Sequence, residues 1–155
     1  MRRVSTVLTA IMCLLLVAAL ASRTPAASVP EVLIGDVLPL TGNFASLGQQ
    51  YLWAGQTVED IINNDYPDLA VPLGPGKGFP GLGGAPAKFI FRDDQSRGDL
   101  ARTIAEQLIT VNRVHWLNGD GTSGNTSIIQ PVESYGIPMS CHPCASPTLT
   151  EKGMK

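Results

Sequence analysis

The side chains with the most chemistry in them gather in one stretch of this sequence, Gly119 to Pro147. It opens on Gly119-Asp-Gly-Thr-Ser-Gly-Asn, small and rich in hydroxyls. It continues through Ile128 to Tyr135 and Gly136-Ile-Pro-Met, and closes on Ser140-Cys-His-Pro-Cys-Ala-Ser-Pro. The pattern predicts loop, short helix, buried strand, loop. Thr122 and Ser123, placed just ahead of a helix, have two uses. Their hydroxyls can cap its first turn. Together with the unpaired N–H groups and partial positive charge of a helix N-terminus, they can also grip a small anion such as a carboxylate. Both uses draw on the same donors. In a parallel sheet the second loop leaves the same strand-end edge as the first, where open α/β sheets bind their ligands.

Cys141-His142-Pro143-Cys144 is the competing constellation. A C-x-x-C pair can exchange disulfides when its thiolate pKa is lowered, but such pairs normally open a helix. Here Ala145-Ser146-Pro147 follows, so a local disulfide between Cys141 and Cys144 bracing a loop, or two ordinary thiols, is the preferred reading. Adding His142 gives three clustered ligands without a fourth, a weak metal site. Asp93 and Asp94 are adjacent at a strand end, point to opposite sides and suit loop and cap roles rather than paired acid–base work. Gly76-x-Gly78-x-x-Gly81 copies a dinucleotide fingerprint without its strand, without its helix and with Pro80 inside, so it is rejected. Asn125-Thr126-Ser127 matches a glycosylation sequon, which is given no weight here. No Ser-His-Asp pattern with a nucleophile turn is present. The reading is a non-enzyme without a cofactor or metal.

These residues need a scaffold, and the chain supplies an alternation of elements. Val32 to Leu38 is a nearly continuous apolar run, as in a strand buried on both faces. Gln49 to Asn63 is a helix with Tyr51, Ala54, Gly55, Val58, Ile61 and Ile62 on one face. Asp68 to Pro86, dense in Gly and Pro, reads as a long flexible surface connection. Strands follow at Lys88–Phe91, Val114–Leu117 and Ile137–Ser140. Between them lie a helix from Asp99 to Val111, burying Ala101, Ile104, Ala105, Leu108 and Ile109, and the short helix from Ile128. Pro131 within that helix predicts a short or bent one. His115, beside Trp116, reads as structural. The β-α-β-α-β-α-β order argues an α/β fold, a doubly wound parallel sheet with helices on both faces.

With 155 residues, 44% hydrophobic and 15% charged, the chain has the means for one packed domain. A net charge of -2 and no Lys/Arg cluster argue against nucleic acid. Met1-Arg2-Arg3, the apolar run Val7 to Leu20 and the small residues around Ala21 predict a cleaved signal peptide over 1–21. The run falls short of the ~20 residues that span a bilayer. Residues 22–30 form a flexible leader, and 31–155 the folded part. Export places Cys141 and Cys144 where disulfides are permitted.

Five stretches together resemble the N-terminal lobe of periplasmic solute-binding proteins of ABC transporters, of the branched-chain amino acid (Leu/Ile/Val) and amide type. They are Ile34-Gly-x-x-x-Pro-Leu-Thr-Gly42 with Ala45-x-x-Gly48, Ile61-Ile-Asn63, and Asp93-Asp-Gln95. The others are Thr122-Ser-Gly124 with Pro131-Val-Glu and Tyr135-Gly-Ile-Pro138, and Ala145-Ser-Pro147-x-Leu-Thr150. The resemblance runs from about Glu31 to Gly153. It implies a type I periplasmic-binding fold, a periplasmic location, an amino-acid or small-amide ligand and an ABC permease as partner. By position Thr122 and Ser123 match the groups that hold the ligand's α-carboxylate. Cys144, Ala145 and Ser146 match a loop serving carboxylate and ammonium, with Ala145 where many relatives have Thr or Ser. Leu47 falls where relatives often place an aromatic against the ligand side chain. Relatives also have a second lobe, and this sequence stops at Lys155. A fragment, a truncated product, half of an assembly and a functionally silent remnant are therefore all open, as is a thiol–disulfide oxidoreductase using Cys141 and Cys144. An uncovered hinge face would favour self-association.

Overall fold

A computed structural model describes residues 30–120 and 122–142. The signal peptide over 1–21, nearly all of the leader, and Cys144, Ala145 and Ser146 lie outside the described residues. The elements are β1 (Val32–Leu38), α1 (Ala45–Asn63), β2 (Ala87–Asp93), α2 (Gly98–Thr110), β3 (Trp116–Asp120), α3 (Thr122–Tyr135) and β4 (Met139–His142), with a 3₁₀ turn at Pro80–Leu82. The four strands form one sheet in the order β2-β1-β3-β4, and every pairing is parallel.

The two faces of the sheet are packed differently. Gly35 in β1 faces α2, and a Cβ there would stand 3.1 Å from the Leu108 and Leu117 side chains. Around that point Val37, Ala101, Ala105, Leu108, Leu117, Ile128 and Val132 form the core. The expected apolar face of α2 is the buried one, Ala101, Ile104, Ala105, Leu108 and Ile109. On the opposite face α1 is the one helix among the described residues. Gly55 sits against the Phe91 ring, where an added Cβ would approach to 2.7 Å. Of the six apolar residues predicted to be buried in α1, only Ile62 is buried, while Ala54 and Val58 are exposed. The pattern shows which side of α1 is apolar; how wide a layer covers that side depends on the neighbours.

Element ends differ from the sequence reading for local reasons. Helix α1 starts at Ala45, four residues before Gln49, and takes in Gly48. Gly48 reads as loop punctuation, yet it is a close-approach glycine: a Cβ there would lie 2.2 Å from the Pro39 carbonyl oxygen. Val114 and His115 precede β3 instead of opening it, because Arg113 takes a positive φ of 56° that ends the turn after α2. Helix α3 begins at Thr122, not Ile128, and continues for 14 residues through the buried Pro131, longer than the short helix expected. Strand β4 extends to His142, so Cys141 and His142 belong to the sheet.

The connection from α1 to β2 is not loose. Asn63 clamps Ala87 in both directions, its amide donating to the Ala87 carbonyl and its carbonyl accepting the Ala87 N–H, each at 2.8 Å. The Gly78 N–H donates to the Ile62 carbonyl at 2.6 Å, and Phe79 bridges Ala85. Gly and Pro here build turns, and hydrogen bonds hold them. A 3₁₀ turn follows Gly78, with no strand before it, so the rejection of the nucleotide fingerprint stands.

Candidate ligand-binding edge

Each parallel strand ends at the same rim, at Leu38, Asp93, Asp120 and His142. The chain runs from β1 outward to β2 and then crosses to β3 on the other side, so the winding reverses between β1 and β3. The loop at 39–44 and the start of α3 flank that reversal. Asp120 and His142 are register partners on adjacent strands, so the ends of β3 and β4 lie side by side.

The 39–44 loop is held by residues from the loop after β2. Asp93 accepts the Thr41 hydroxyl at 2.7 Å, the Thr41 N–H at 3.1 Å and the Gln95 N–H at 2.8 Å. Ser96 donates its hydroxyl to the Thr41 carbonyl at 2.9 Å and accepts the Phe44 N–H at 3.1 Å. Gln95 and Ser96 have positive φ of 57° and 60°, an uncommon backbone for non-glycine residues. Gly42, at φ 82°, lies where a Cβ would come within 2.6 Å of the Gln95 carbonyl oxygen. This is a fixed joint between two strand-end loops.

The adjacent carboxylates differ in environment, as their opposed directions imply. Burial pulls the Asp93 carboxyl upward, but the hydrogen bonds from the Thr41 hydroxyl and from the Gln95, Thr41 and Leu40 backbones outweigh it and hold the pKa below its ordinary value. Asp94 is only 3% exposed. Burial raises its pKa, the Ser96 N–H opposes that, and the Asp93 charge adds to it. Both serve the loop, in keeping with the sequence reading. His115 is structural too: its Nδ1 accepts the Leu33 N–H at 2.9 Å, while its own backbone N–H donates to the Leu33 carbonyl.

Of the sequence-predicted site residues, Thr122 and Ser123 form the first turn of α3 at this rim, inside the helix rather than in a loop ahead of it. Leu47 is half-buried in the first turn of α1, its N–H donating to the Phe44 carbonyl. Cys141 is half-buried in β4 and disulfide-bonded. Among the described residues no group of three or more His, Cys, Asp or Glu is placed to hold a metal. Sequence reasoning missed Thr41 and Ser96, whose spacing from Asp93 gave no signal because the joint is formed between separate loops. It also missed Asp36, buried mid-strand within an apolar run.

No protein family matches the chain by sequence, and neither does any curated protein. Solved structures do match. The branched-chain amino acid substrate-binding protein of Streptococcus pneumoniae, in complex with isoleucine, superposes at a TM-score of 0.64 with 18% identity over 80% of this chain and 32% of that one. A leucine-binding protein from Thermotoga maritima gives 0.62 at 18% identity, over 77% and 30%. An R. palustris solute-binding protein in complex with 4-hydroxybenzoate gives 0.61 at 20%, over 79% and 29%. The fold is that of a periplasmic solute-binding lobe. More closely, it is a type I periplasmic-binding-protein-like lobe, and the chain spans about 30% of the length of the structures it matches.

Proposed function

We propose that this chain is an exported, non-catalytic solute-binding lobe that presents its strand-end rim to a small carboxylate and serves an ABC permease. The observation that carries the reading is the strand order β2-β1-β3-β4, whose reversal sets the braced 39–44 loop beside the start of α3. A ligand carboxylate docks on the N–H groups and hydroxyls of Thr122 and Ser123, where helix N-terminal polarity favours an anion. Leu47 offers an aliphatic contact from the first turn of α1. Cys144, Ala145 and Ser146, outside the described residues, are the third contributor in this reading, with Ala145 offering its backbone only.

The ligands named for two of the similar structures, isoleucine and 4-hydroxybenzoate, share a carboxylate and differ in nearly everything else. The carboxylate is therefore the group assigned to this lobe, so amino acids, amides that also carry a carboxylate, and aromatic acids form the ligand class. A lobe tested by itself encloses a small ligand on one side only, so its affinity in that test is weak, about millimolar. The thiol–disulfide alternative is disfavoured because Cys141 lies in a strand and not at a helix start. Calorimetry with a panel of aliphatic amino acids, amides and hydroxybenzoates tests the proposal. Saturable binding by carboxylates, lost in the corresponding methyl esters and retained when both Cys141 and Cys144 are Ser, is expected. Heat that does not distinguish acid from ester would refute it.

A further inference from the structure

Two neighbouring acids with opposite preferences sit where the loops after β1 and β2 meet. The backbone of Asp94 fastens the second loop to the sheet: its N–H donates to the Leu38 carbonyl and its carbonyl accepts the Arg97 N–H, each at 2.9 Å. Its side chain is buried, and one carboxyl oxygen accepts the Ser96 N–H at 2.8 Å. Among the described residues no further donor reaches that carboxyl. A charge buried with a single neutral donor is poorly compensated, so the site favours the protonated acid. Asp93 is the reverse case. Its oxygens accept the Thr41 hydroxyl, the Thr41 N–H and the Gln95 N–H, and such bonds are strongest to the charged form.

The surrounding charges leave this contrast in place. Among the described residues, the charge whose field bears on Asp94 is that of Asp93, and it too opposes ionisation there. Residues 37–48, from the end of β1 to the first turn of α1, carry no ionisable side chain. At the start of α2, Arg97 pairs with Asp99 and Arg102 with Glu106, all exposed. Arg92 on β2 donates to the Phe91 carbonyl. Ser96 connects the pair of acids to the 39–44 loop. Its N–H is bound by Asp94, while its hydroxyl donates to the Thr41 carbonyl and accepts the Phe44 N–H. Thr41 is thus held through Asp93, and Phe44 through Ser96 and Asp94.

We infer that this turn is a proton-sensitive latch on the 39–44 loop, closed most firmly when Asp93 is charged and Asp94 carries a proton. Opening the turn admits water to Asp94 and relieves its burial, so an ionised Asp94 favours the open form. Opening also strips Asp93 of its donors, so an ionised Asp93 favours the closed form. Asp94, whose pKa is raised in the closed form, contributes closure that is complete below 3.8 and is lost as pH rises through its folded value. Asp93, whose pKa is lowered there, contributes closure that is present above 3.8 and is lost as pH falls through its folded value. The latch is therefore tightest between the two folded values, a window that brackets 3.8, and slackens on either side. It is a property of the two loops and holds whether or not the rim binds a ligand; on the reading that it does, the ligand meets a firmer loop in mild acid than at neutrality.

Amide hydrogen exchange in the full chain, corrected for intrinsic rate and followed from about pH 3 to about pH 7, tests the inference. Protection of the Thr41 and Phe44 N–H groups is expected to peak at about pH 4 and to fall at least about threefold toward neutrality. In Asp94→Asn, which keeps an acceptor for Ser96 and cannot ionise, the fall toward neutrality should disappear. Carboxyl-carbon titration of the wild type, which needs no variant, should place the midpoint of Asp94 above 3.8 and that of Asp93 below it. Protection at Thr41 and Phe44 that is indifferent to pH, a fall toward neutrality that persists in Asp94→Asn, or midpoints in the reverse order overturns the inference.

Discussion

Asp93 and Asp94 are consecutive, yet the loop holds one charged and resists the charge on the other. A depressed folded-state pKa, as at Asp93, gives stability that is present above the unfolded value of 3.8 and is lost as pH falls through the folded value. A raised one, as at Asp94, gives stability that is complete below 3.8 and is lost as pH rises through the folded value. Asp94→Asn keeps an acceptor for the Ser96 N–H and removes the titration. Its stability relative to wild type should therefore grow as pH climbs from 4 toward neutrality, as read from thermal unfolding across that range. Asp93→Ala strips Thr41 and Gln95 of their acceptor. It should cost about 1–3 kcal/mol in urea unfolding at pH 7, and weaken carboxylate binding by freeing the 39–44 loop.

At the scale of elements, two close contacts test the packing. Gly48→Ala pushes a Cβ into the Pro39 carbonyl, a backbone atom that cannot step aside, so α1 must shift away from β1; a loss of about 1–3 kcal/mol is expected in chemical denaturation. Leu108→Ala empties the best-packed point of the α2 face and should cost about 2–5 kcal/mol in the same measurement. These elements also show what the residues reveal unaided. The α2 face is legible because apolar spacing and burial coincide when a helix is covered on its whole inner side. The α1 face has the same spacing, but Ala54 and Val58 stay open because no second helix lies beside it among the described residues. Gly48 misled the reading of the helix start, since a glycine required by close approach looks in sequence like one that ends an element. Thr122 and Ser123 stand as candidates on hydroxyls ahead of apolar periodicity, whereas the Thr41–Asp93–Ser96 joint left no mark in the sequence because it arises only when β1 and β2 come side by side.

For the whole molecule, the parallel order β2-β1-β3-β4 joins local features to function. It gathers strand ends that are far apart in the sequence, from Leu38 to His142, onto one rim. The most direct test of the rim as the binding site is an amide chemical-shift titration with a carboxylate ligand and its methyl ester. The acid is predicted to give saturable shifts at 39–47 and at the start of α3, including Thr122 and Ser123, while the ester leaves them in place. Shifts confined to the N-terminal ends of the strands, or equal shifts with acid and ester, would contradict it.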